Sequence, residues 1–250
     1  MKLTFHFESI FVPILLVLMM WVIFILQYFG LITECYGIIP WNIDGLKGIL
    51  FAPLLHGSWG HLINNTITFT VVTFLVFQFY NRIAYYVMIL GWIFTGLFVW
   101  LIPSFASNIG FYDSCHIGAS GLIYVFTFFL FFSGIFIREA KLIAISLIVV
   151  FLYGGMIWGV LPQELFGFSQ TGNPISWQSH LGGAITGTFM AFIFRKYLKI
   201  DKNKPSWEQN NYNTEKDEEL WATYKENFPE HFEEIDAKKP IKKDNWDELL

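Results

Sequence analysis

Long apolar segments are the feature that most limits what this chain can fold into. A helix needs about 20 mainly apolar residues to cross a hydrocarbon core of about 30 Å. Six segments of this kind can be marked along the chain, approximately over residues 11–28, 62–79, 84–102, 121–137, 142–161 and 181–194. The sequence therefore predicts an all-α membrane protein, a bundle of six transmembrane helices.

The distribution of charge divides the chain into two parts. Only 14% of the residues are charged, whereas soluble domains carry roughly 25%, and most of the charges follow residue 198. We expect a membrane domain over residues 1–199 and a hydrophilic, mostly irregular cytoplasmic tail over residues 200–250. The net charge of -4 comes mainly from this tail, and no basic stripe indicates a nucleic-acid partner.

One stretch of the tail has an amphipathic pattern. Its apolar residues stand between charged ones, and Pro229 follows them; they are Leu220, Trp221, Tyr224 and Phe228. A short helix within an otherwise disordered tail is the favoured interpretation. A helix that lies on the membrane surface and one that docks a partner are the alternatives.

The basic residues near the span ends predict the orientation, because Lys and Arg accumulate on the cytoplasmic side of a membrane. All but Lys47 fall on one side of the six spans, namely Lys2, Arg82, Arg138, Lys141, Arg195, Lys196 and Lys199. Both termini are therefore expected in the cytoplasm. The first span lacks a small-residue cleavage pattern and is expected to be retained. A bacterial cytoplasmic membrane is the expected location, and the sequence leaves other membranes open.

This orientation places polar side chains in one leaflet. The second, fourth and sixth spans all begin at the outer face, where the chain carries His61, Asn65, Ser120 and His180. Polar side chains at membrane depth are costly and usually functional. The arrangement indicates chemistry inside the bilayer.

Three separated motifs resemble those of the rhomboid family of intramembrane serine proteases, over roughly residues 37–199. They are His56 to Asn65 with His61 between them (HxxxxHxxxN), Gly118-Ala119-Ser120-Gly121 (GxSG), and His180 with Gly183 and Gly187 (HxxGxxxG). The resemblance implies a six-helix rhomboid-like bundle. It also implies a protease that cuts in or beside the transmembrane segments of other membrane proteins, without a metal ion or organic cofactor.

The chemistry of these residues agrees with that implication. A serine hydroxyl needs a neighbouring base, and neutral imidazole suits this task near neutral pH. Ser120 and His180 would form the pair, and no Asp or Glu is evident in their spans to complete a triad. Tyr124 follows Ser120 by one helical turn. In rhomboids the matching tyrosine stacks on the histidine.

An oxyanion formed on the substrate would need hydrogen-bond donors already in place. His61 and Asn65 are spaced i to i+4, so both side chains can point toward one small volume, and the backbone N–H of Ser120 would complete the hole. Helix capping and loop packing are the alternatives for this pair. The resemblance gives His56 a structural role, tying down the preceding loop.

Glycines would let the two helices of the dyad approach closely. Gly118 and Gly121 flank the serine, and Gly183 and Gly187 share one helical face below His180. Small residues four apart allow membrane helices to approach at backbone distance. We therefore expect the fourth and sixth spans to pack directly against each other.

Other function classes fit less well. A zinc protease would need HExxH, which is absent, and an aspartyl protease would need two membrane-embedded aspartates. A transporter or channel would not explain the register of serine, histidine and glycine. A non-catalytic rhomboid-like protein that binds membrane helices remains the main alternative. The oligomeric state is not indicated.

The outer loops have two further features, a departure from the family pattern and a pair of cysteines. Many rhomboids carry a Trp-Arg pair in the first outer loop, whereas Trp41 is followed here by Asn42. This loop is still apolar enough for a membrane-embedded hairpin. Cys35 and Cys115 are both expected on the outer side, and the sequence gives no distance between them. Two unpaired cysteines are the favoured interpretation.

Overall fold

The structure, a computed structural model, describes residues 5–102, 115–138, 143–148, 176–197 and 214–230. Its helices there are α1 Phe7–Tyr28, α2 Gly48–Phe51, α3 Trp59–Phe79, α4 Asn81–Leu101, α5 Ser120–Ile137, α6 Trp177–Phe194 and α7 Thr214–Asn227. Two short 3-10 turns, Ile43–Lys47 and Ala52–Leu54, flank α2. No strand forms within the described ranges, so the all-α prediction is confirmed for them.

Four of these helices, α1, α3, α4 and α5, are long and apolar enough to cross a membrane. They correspond to the first four predicted spans. The fifth, residues 142–161, lies outside the described residues except for the helical stretch 143–148. The sixth corresponds to α6, whose first turn is polar. The count of six transmembrane helices stays a prediction.

The helices begin up to four residues before the predicted apolar segments. Ser58 caps α3 by accepting a hydrogen bond from the N–H of His61 at 3.2 Å. Ser176 caps α6 in the same way, from the N–H of Ser179 at 3.3 Å. Because these caps precede a polar first turn, His61 and His180 lie on the helices themselves.

α1 runs antiparallel to α3, and polar side chains fix their register. The indole N–H of Trp21 donates to the Thr66 hydroxyl at 3.0 Å. Near the other end, the backbone N–H of His56 donates to the Gln27 side-chain carbonyl at 3.2 Å. The end of α1 therefore holds the loop that leads into α3.

α5 lies at the centre of the described bundle, and α1 lies at its edge. Within the apolar windows of these helices, 61% of the α5 residues are buried against the protein but only 28% of those in α1. The core around α5 consists largely of Phe and Val side chains from α3, α4 and α5, among them Phe69, Val72, Val76, Val87, Val125, Phe126 and Phe129. The helix that carries Ser120 is therefore the most buried of the four long apolar helices.

The first outer loop packs on α4 without a Trp-Arg pair. Three indole N–H groups donate to backbone carbonyls across this contact, from Trp92 to Ile49, from Trp100 to Asn42 and from Trp41 to Leu101, at 2.9, 2.9 and 3.0 Å. Apolar side chains on the other side of the loop, such as Leu50, stay exposed. Tryptophan-to-carbonyl bonds thus set the position of this loop.

Cys35 and Cys115 form a disulfide, with 6.1 Å between their Cα atoms. The expectation of two unpaired cysteines is therefore wrong. The cysteines are 80 residues apart in the chain, but α3 and α4 form a hairpin that returns the chain to the first outer loop. An isolated antiparallel bridge between Ile38 and His116 joins the same two segments.

The chain divides into two compact units, Met1–Lys199 and Ile200–Leu250. In the second unit, α7 covers the amphipathic stretch of the tail up to Asn227, and Phe228 follows directly after it. The aromatic rings of this stretch are exposed and pack on one another, with ring centroids 5.8 Å apart for Trp221 and Tyr224 and 5.1 Å apart for Tyr224 and Phe228. The disorder expected of the remaining tail stays a prediction.

Candidate active site

Ser120 is the first residue of α5, and the glycine before it sets the shape of the approach. Gly118 has φ +111°, a backbone region that favours glycine. Its N–H donates to the carbonyl of Ala52 at 2.8 Å, which ties the segment to the first outer loop. A Cβ at this position would stand 2.6 Å from the ring of His61 and 3.4 Å from the amide nitrogen of Asn65. Only glycine lets these side chains come so close to the backbone before Ser120.

The structure brings the two residues of the predicted dyad together. The Ser120 Oγ lies 2.8 Å from the Nε2 of His180, a typical hydrogen-bond distance. His180 is buried, and Ser120 is half-buried. When Nδ1 carries the ring proton, Nε2 accepts the hydrogen bond from the serine hydroxyl.

Tyr124 holds the plane of the imidazole. Its ring stacks on the ring of His180, with centroids 4.3 Å apart and planes inclined by 14°. Tyr124 also packs against Phe128, with ring centroids 6.3 Å apart and planes inclined by 22°. This aromatic stack restricts tilting of the histidine ring.

Glycines let α5 and α6 touch at backbone distance. A Cβ on Gly183 would collide with the carbonyl oxygen of Gly121, and one on Gly187 would collide with the carbonyl oxygen of Val125. A Cβ on Gly121 would in turn collide with the Ser179 hydroxyl. The short distance between Ser120 and His180 thus depends on the absence of side chains at these positions.

His56, His61 and Asn65 form one cluster beside the serine. The side-chain N–H of Asn65 donates to the Nε2 of His56 at 3.0 Å, and the rings of His56 and His61 lie 5.0 Å apart. Burial and, to a smaller extent, the neighbouring His61 lower the pKa of His56 to about 4. His56 is therefore a neutral acceptor near neutral pH. It orients Asn65, a contact that the expected loop-tying role did not include.

Sequence reasoning missed His116, which precedes the serine by four residues. Its Nδ1 lies 2.7 Å from the hydroxyl of Ser176, the N-cap of α6. Burial lowers the pKa of His116 to about 4. The one available signal was its type, since the chain has only 6 histidines and this one stands two residues before the GxSG motif.

The side chains of the described ranges do not form an evident metal centre. No group of three or more His, Cys, Asp or Glu residues there could hold a metal ion. The cluster can supply a nucleophile, a base and hydrogen-bond donors. These are the components of acyl transfer.

Comparison with known proteins places this chain in a family. The family model of the Rhomboid domain matches residues 43–197. A protein of Mycobacterium tuberculosis and one of Mycobacterium bovis are each 42% identical over 168 residues, which is 67% of this chain and 67% of the relative. A protein of Mycobacterium leprae is 41% identical over 150 residues, 60% of this chain and 57% of the relative.

The names of these relatives call them uncharacterized proteins, so they assign no activity. The family match covers more than half of the chain and includes all three motifs. The candidate site lies at the start of three helices within that match. This chain, an integral membrane protein, therefore belongs to the rhomboid family.

Proposed function

We propose that the protein is an intramembrane serine protease that hydrolyses peptide bonds in or next to transmembrane segments of other membrane proteins. The observation that carries this proposal is the 2.8 Å contact between the Ser120 Oγ and the His180 Nε2. The contact joins the N-terminal turns of two helices in an apolar bundle. A hydroxyl paired with an imidazole in such surroundings is suited to nucleophilic attack.

The first half of the reaction forms an acyl-enzyme. As the Ser120 Oγ attacks the scissile carbonyl carbon, His180 takes the hydroxyl proton at Nε2. The tetrahedral intermediate then collapses, the C–N bond breaks, and His180 gives the proton to the leaving amine. Tyr124 keeps the imidazole in one plane during both transfers.

The oxyanion of the tetrahedral intermediate would be bound by donors around Ser120. Because Ser120 is the first residue of α5, its backbone N–H has no partner within the helix. Asn65 uses its amide nitrogen toward His56, and the second hydrogen on that nitrogen stays available. Together with His61, these groups would supply about 3 kcal/mol for each donor.

The second half of the reaction needs only water. His180 takes a proton from a water molecule that attacks the acyl carbon, the C–O bond to Ser120 breaks, and the serine recovers its proton. The chain's own serine, histidine and donors supply every proton transfer. The proposal therefore requires neither a metal ion nor an organic cofactor.

Substrates should be membrane helices that unwind easily. The backbone groups of a membrane helix are already hydrogen-bonded, so the scissile carbonyl becomes accessible only where the helix is weak. We expect glycine, proline or other helix-weakening residues near the cut. The lipid bilayer holds enzyme and substrate in one plane.

We place the protein in a bacterial cytoplasmic membrane with both termini in the cytoplasm and the site near the outer face. The mycobacterial relatives support the bacterial assignment. The Cys35–Cys115 disulfide supports an outer position for the loops beside the site, because disulfides persist in oxidising compartments.

The experiment that tests this function is cleavage of a helix-destabilised transmembrane substrate by the purified protein. Ser120→Ala and His180→Ala should each lower the rate by at least about a thousandfold. Ser133→Ala is the matched control, since Ser133 lies on the same helix and its buried hydroxyl finds no partner among the described residues. This variant should cleave at the wild-type rate.

Two results would contradict the proposal. Equal cleavage by wild type and Ser120→Ala would exclude Ser120 as the nucleophile. Binding of transmembrane helices without cleavage of any substrate in a broad panel would favour a non-catalytic rhomboid-like protein.

A further inference from the structure

His116 is a buried histidine that the proposed mechanism does not use. It lies outside the helices, in the segment between Cys115 and the GxSG motif, and only 9% of its surface is exposed. Its Nδ1 lies 2.7 Å from the Ser176 hydroxyl. Ser176 is 60 residues away in the chain, so this contact joins two otherwise separate parts of the site.

The partner of His116 controls the start of α6. The Ser176 hydroxyl accepts a hydrogen bond from the backbone N–H of Ser179 at 3.3 Å, and a hydroxyl can donate one hydrogen bond while accepting others. A continuous chain of bonds therefore runs from the Ser179 N–H through the Ser176 hydroxyl to the His116 Nδ1. Burial lowers the pKa of His116 to about 4, so its ring is neutral near neutral pH. In the tautomer that carries the proton on Nε2, the Nδ1 accepts the hydrogen bond from the Ser176 hydroxyl.

His116 is itself held in place from the other side. Its backbone N–H and carbonyl both pair with Ile38, at 2.9 Å each. The neighbouring Cys115 is joined to Cys35 by the disulfide. Gly37 packs so closely that a Cβ there would stand 2.5 Å from the carbonyl oxygen of His116. The ring of His116 thus projects from a segment before α5 that is fixed to the first outer loop.

The position of α6 matters because His180 lies in its first turn. The first four N–H groups of a helix have no partner within the helix, so this turn frays unless it is capped. A displacement of about 1 Å at a reacting group can lower a rate by about a hundredfold. The start of α6 must therefore be held to the segment that carries Ser120.

We propose that His116 is a positioning residue for the Ser–His dyad, which fixes the N-cap of α6 and thereby holds His180 against Ser120. This inference rests on the proposed protease function. In this role His116 touches neither the substrate nor the reacting atoms. It acts through Ser176 on the helix that carries the base.

Two substitutions of His116 distinguish the contribution of its hydrogen bond from that of its ring. His116→Phe keeps a ring and removes the acceptor, whereas His116→Asn places an amide oxygen near the position of Nδ1. We expect His116→Phe to lower kcat about tenfold with KM changed by less than about twofold. His116→Asn should recover kcat to within about threefold of wild type.

A double-mutant cycle tests whether the effect passes through Ser176. His116→Phe made in a Ser176→Ala background should lower kcat by less than about twofold, because the contact that it removes is already absent there. Additive losses would overturn the inference. An unchanged kcat in His116→Phe would do the same, and so would equal impairment of the Asn and Phe variants.

Hydrogen exchange tests the inference without catalysis. In a Ser120→Ala background, His116→Phe should speed amide exchange in the first turn of α6, residues 177–181, by about fivefold and leave α3 unchanged. Unchanged exchange in α6 would overturn the positioning role. If the wild-type protein cleaves no substrate, the protease proposal fails, and the exchange result still decides whether His116 fixes α6.

Discussion

The contact between α5 and α6 and the contact between α1 and α3 are built from different residues. α5 meets α6 through glycines, with Gly183 against Gly121 at a distance that leaves no room for a Cβ. α1 meets α3 through large side chains, such as Phe24 and Trp59, whose ring centroids are 4.8 Å apart. The first contact carries both residues of the dyad. The second lies at the edge of the bundle.

This difference indicates how each contact responds to change. Backbone atoms in direct contact cannot adjust to an added methyl group, because close-packed interiors transmit such a displacement. Side chains at the α1–α3 contact can change rotamers, and part of their surface faces outward. We therefore expect changes at the α5–α6 contact to abolish activity. Changes at the α1–α3 contact should lower stability and leave the reaction intact.

Among changes at these two contacts, the largest effect is expected for Gly183→Ala. Its added Cβ would collide with the carbonyl oxygen of Gly121 and would stand 2.9 Å from the Cβ of Tyr124. Separation of α5 and α6 should lower the cleavage rate by about a hundredfold or more. Gly60→Ala is the matched control, because a Cβ on Gly60 would meet nothing within 4 Å. Near-wild-type cleavage by Gly183→Ala would show that the contact can relax.

Removing the aromatic support of the histidine should have the next largest effect. Tyr124→Ala deletes the ring that stacks on His180 at 4.3 Å and should lower kcat about tenfold, since such ring pairs contribute about 1 kcal/mol. Tyr124→Phe keeps the ring and should stay within about threefold of wild type. If the Phe variant were as impaired as the Ala variant, the hydroxyl rather than the stacking would matter.

Lowering the pH should reduce the free energy of unfolding through His56, an effect of intermediate size. Burial holds the pKa of His56 near 4, below its ordinary value of 6.5. The unfolded state therefore binds more protons between these two values, so stability should fall as the pH drops from about 6.5 to 4, by up to roughly 3 kcal/mol. The midpoint of denaturation in SDS, measured across this range, checks the prediction. His56→Gln should make the dependence shallower without removing it, because the pKa of His116 is likewise near 4, and an equally steep curve in this variant would contradict the assignment to His56.

The smallest effect on activity is expected for Trp21→Phe at the α1–α3 contact. This change removes the hydrogen bond to the Thr66 hydroxyl and should lower stability by about 1 kcal/mol. Cleavage should stay within about twofold of wild type, because the dyad lies on other helices. Thr66→Val removes the same bond from the other side and should behave alike. A large loss of kcat in either variant would show that α1 also positions the site.

The residues that sequence could place are those with a regular pattern. Apolar runs marked the helices, and the spacing of Ser120, His180 and the glycines predicted which side chains could meet. The predicted apolar segments begin after the observed starts of α3 and α6. Ser58 and Ser176 cap a polar first turn in each helix, and a search for apolar residues does not include such a turn. The periodicity of apolar residues indicates which face of a helix is buried, but it does not indicate where a capping residue begins the helix.

The contacts between loops could not be predicted in the same way. The Cys35–Cys115 disulfide and the His116–Ser176 contact join segments 80 and 60 residues apart. Neither pair lies in a periodic element, so no spacing rule applies to it. Likewise, the first outer loop is held by three indole-to-carbonyl bonds. Every residue has a backbone carbonyl, so the sequence does not indicate which carbonyl accepts a given hydrogen bond.

The most direct test of the account is covalent labelling of Ser120 by a fluorophosphonate probe, located by mass spectrometry of the intact and digested protein. The central claim is that His180 activates this one hydroxyl. Wild type should carry a single adduct at Ser120, and His180→Ala should carry none under the same conditions. Labelling of another serine, or equal labelling of Ser120 in both proteins, would contradict the claim.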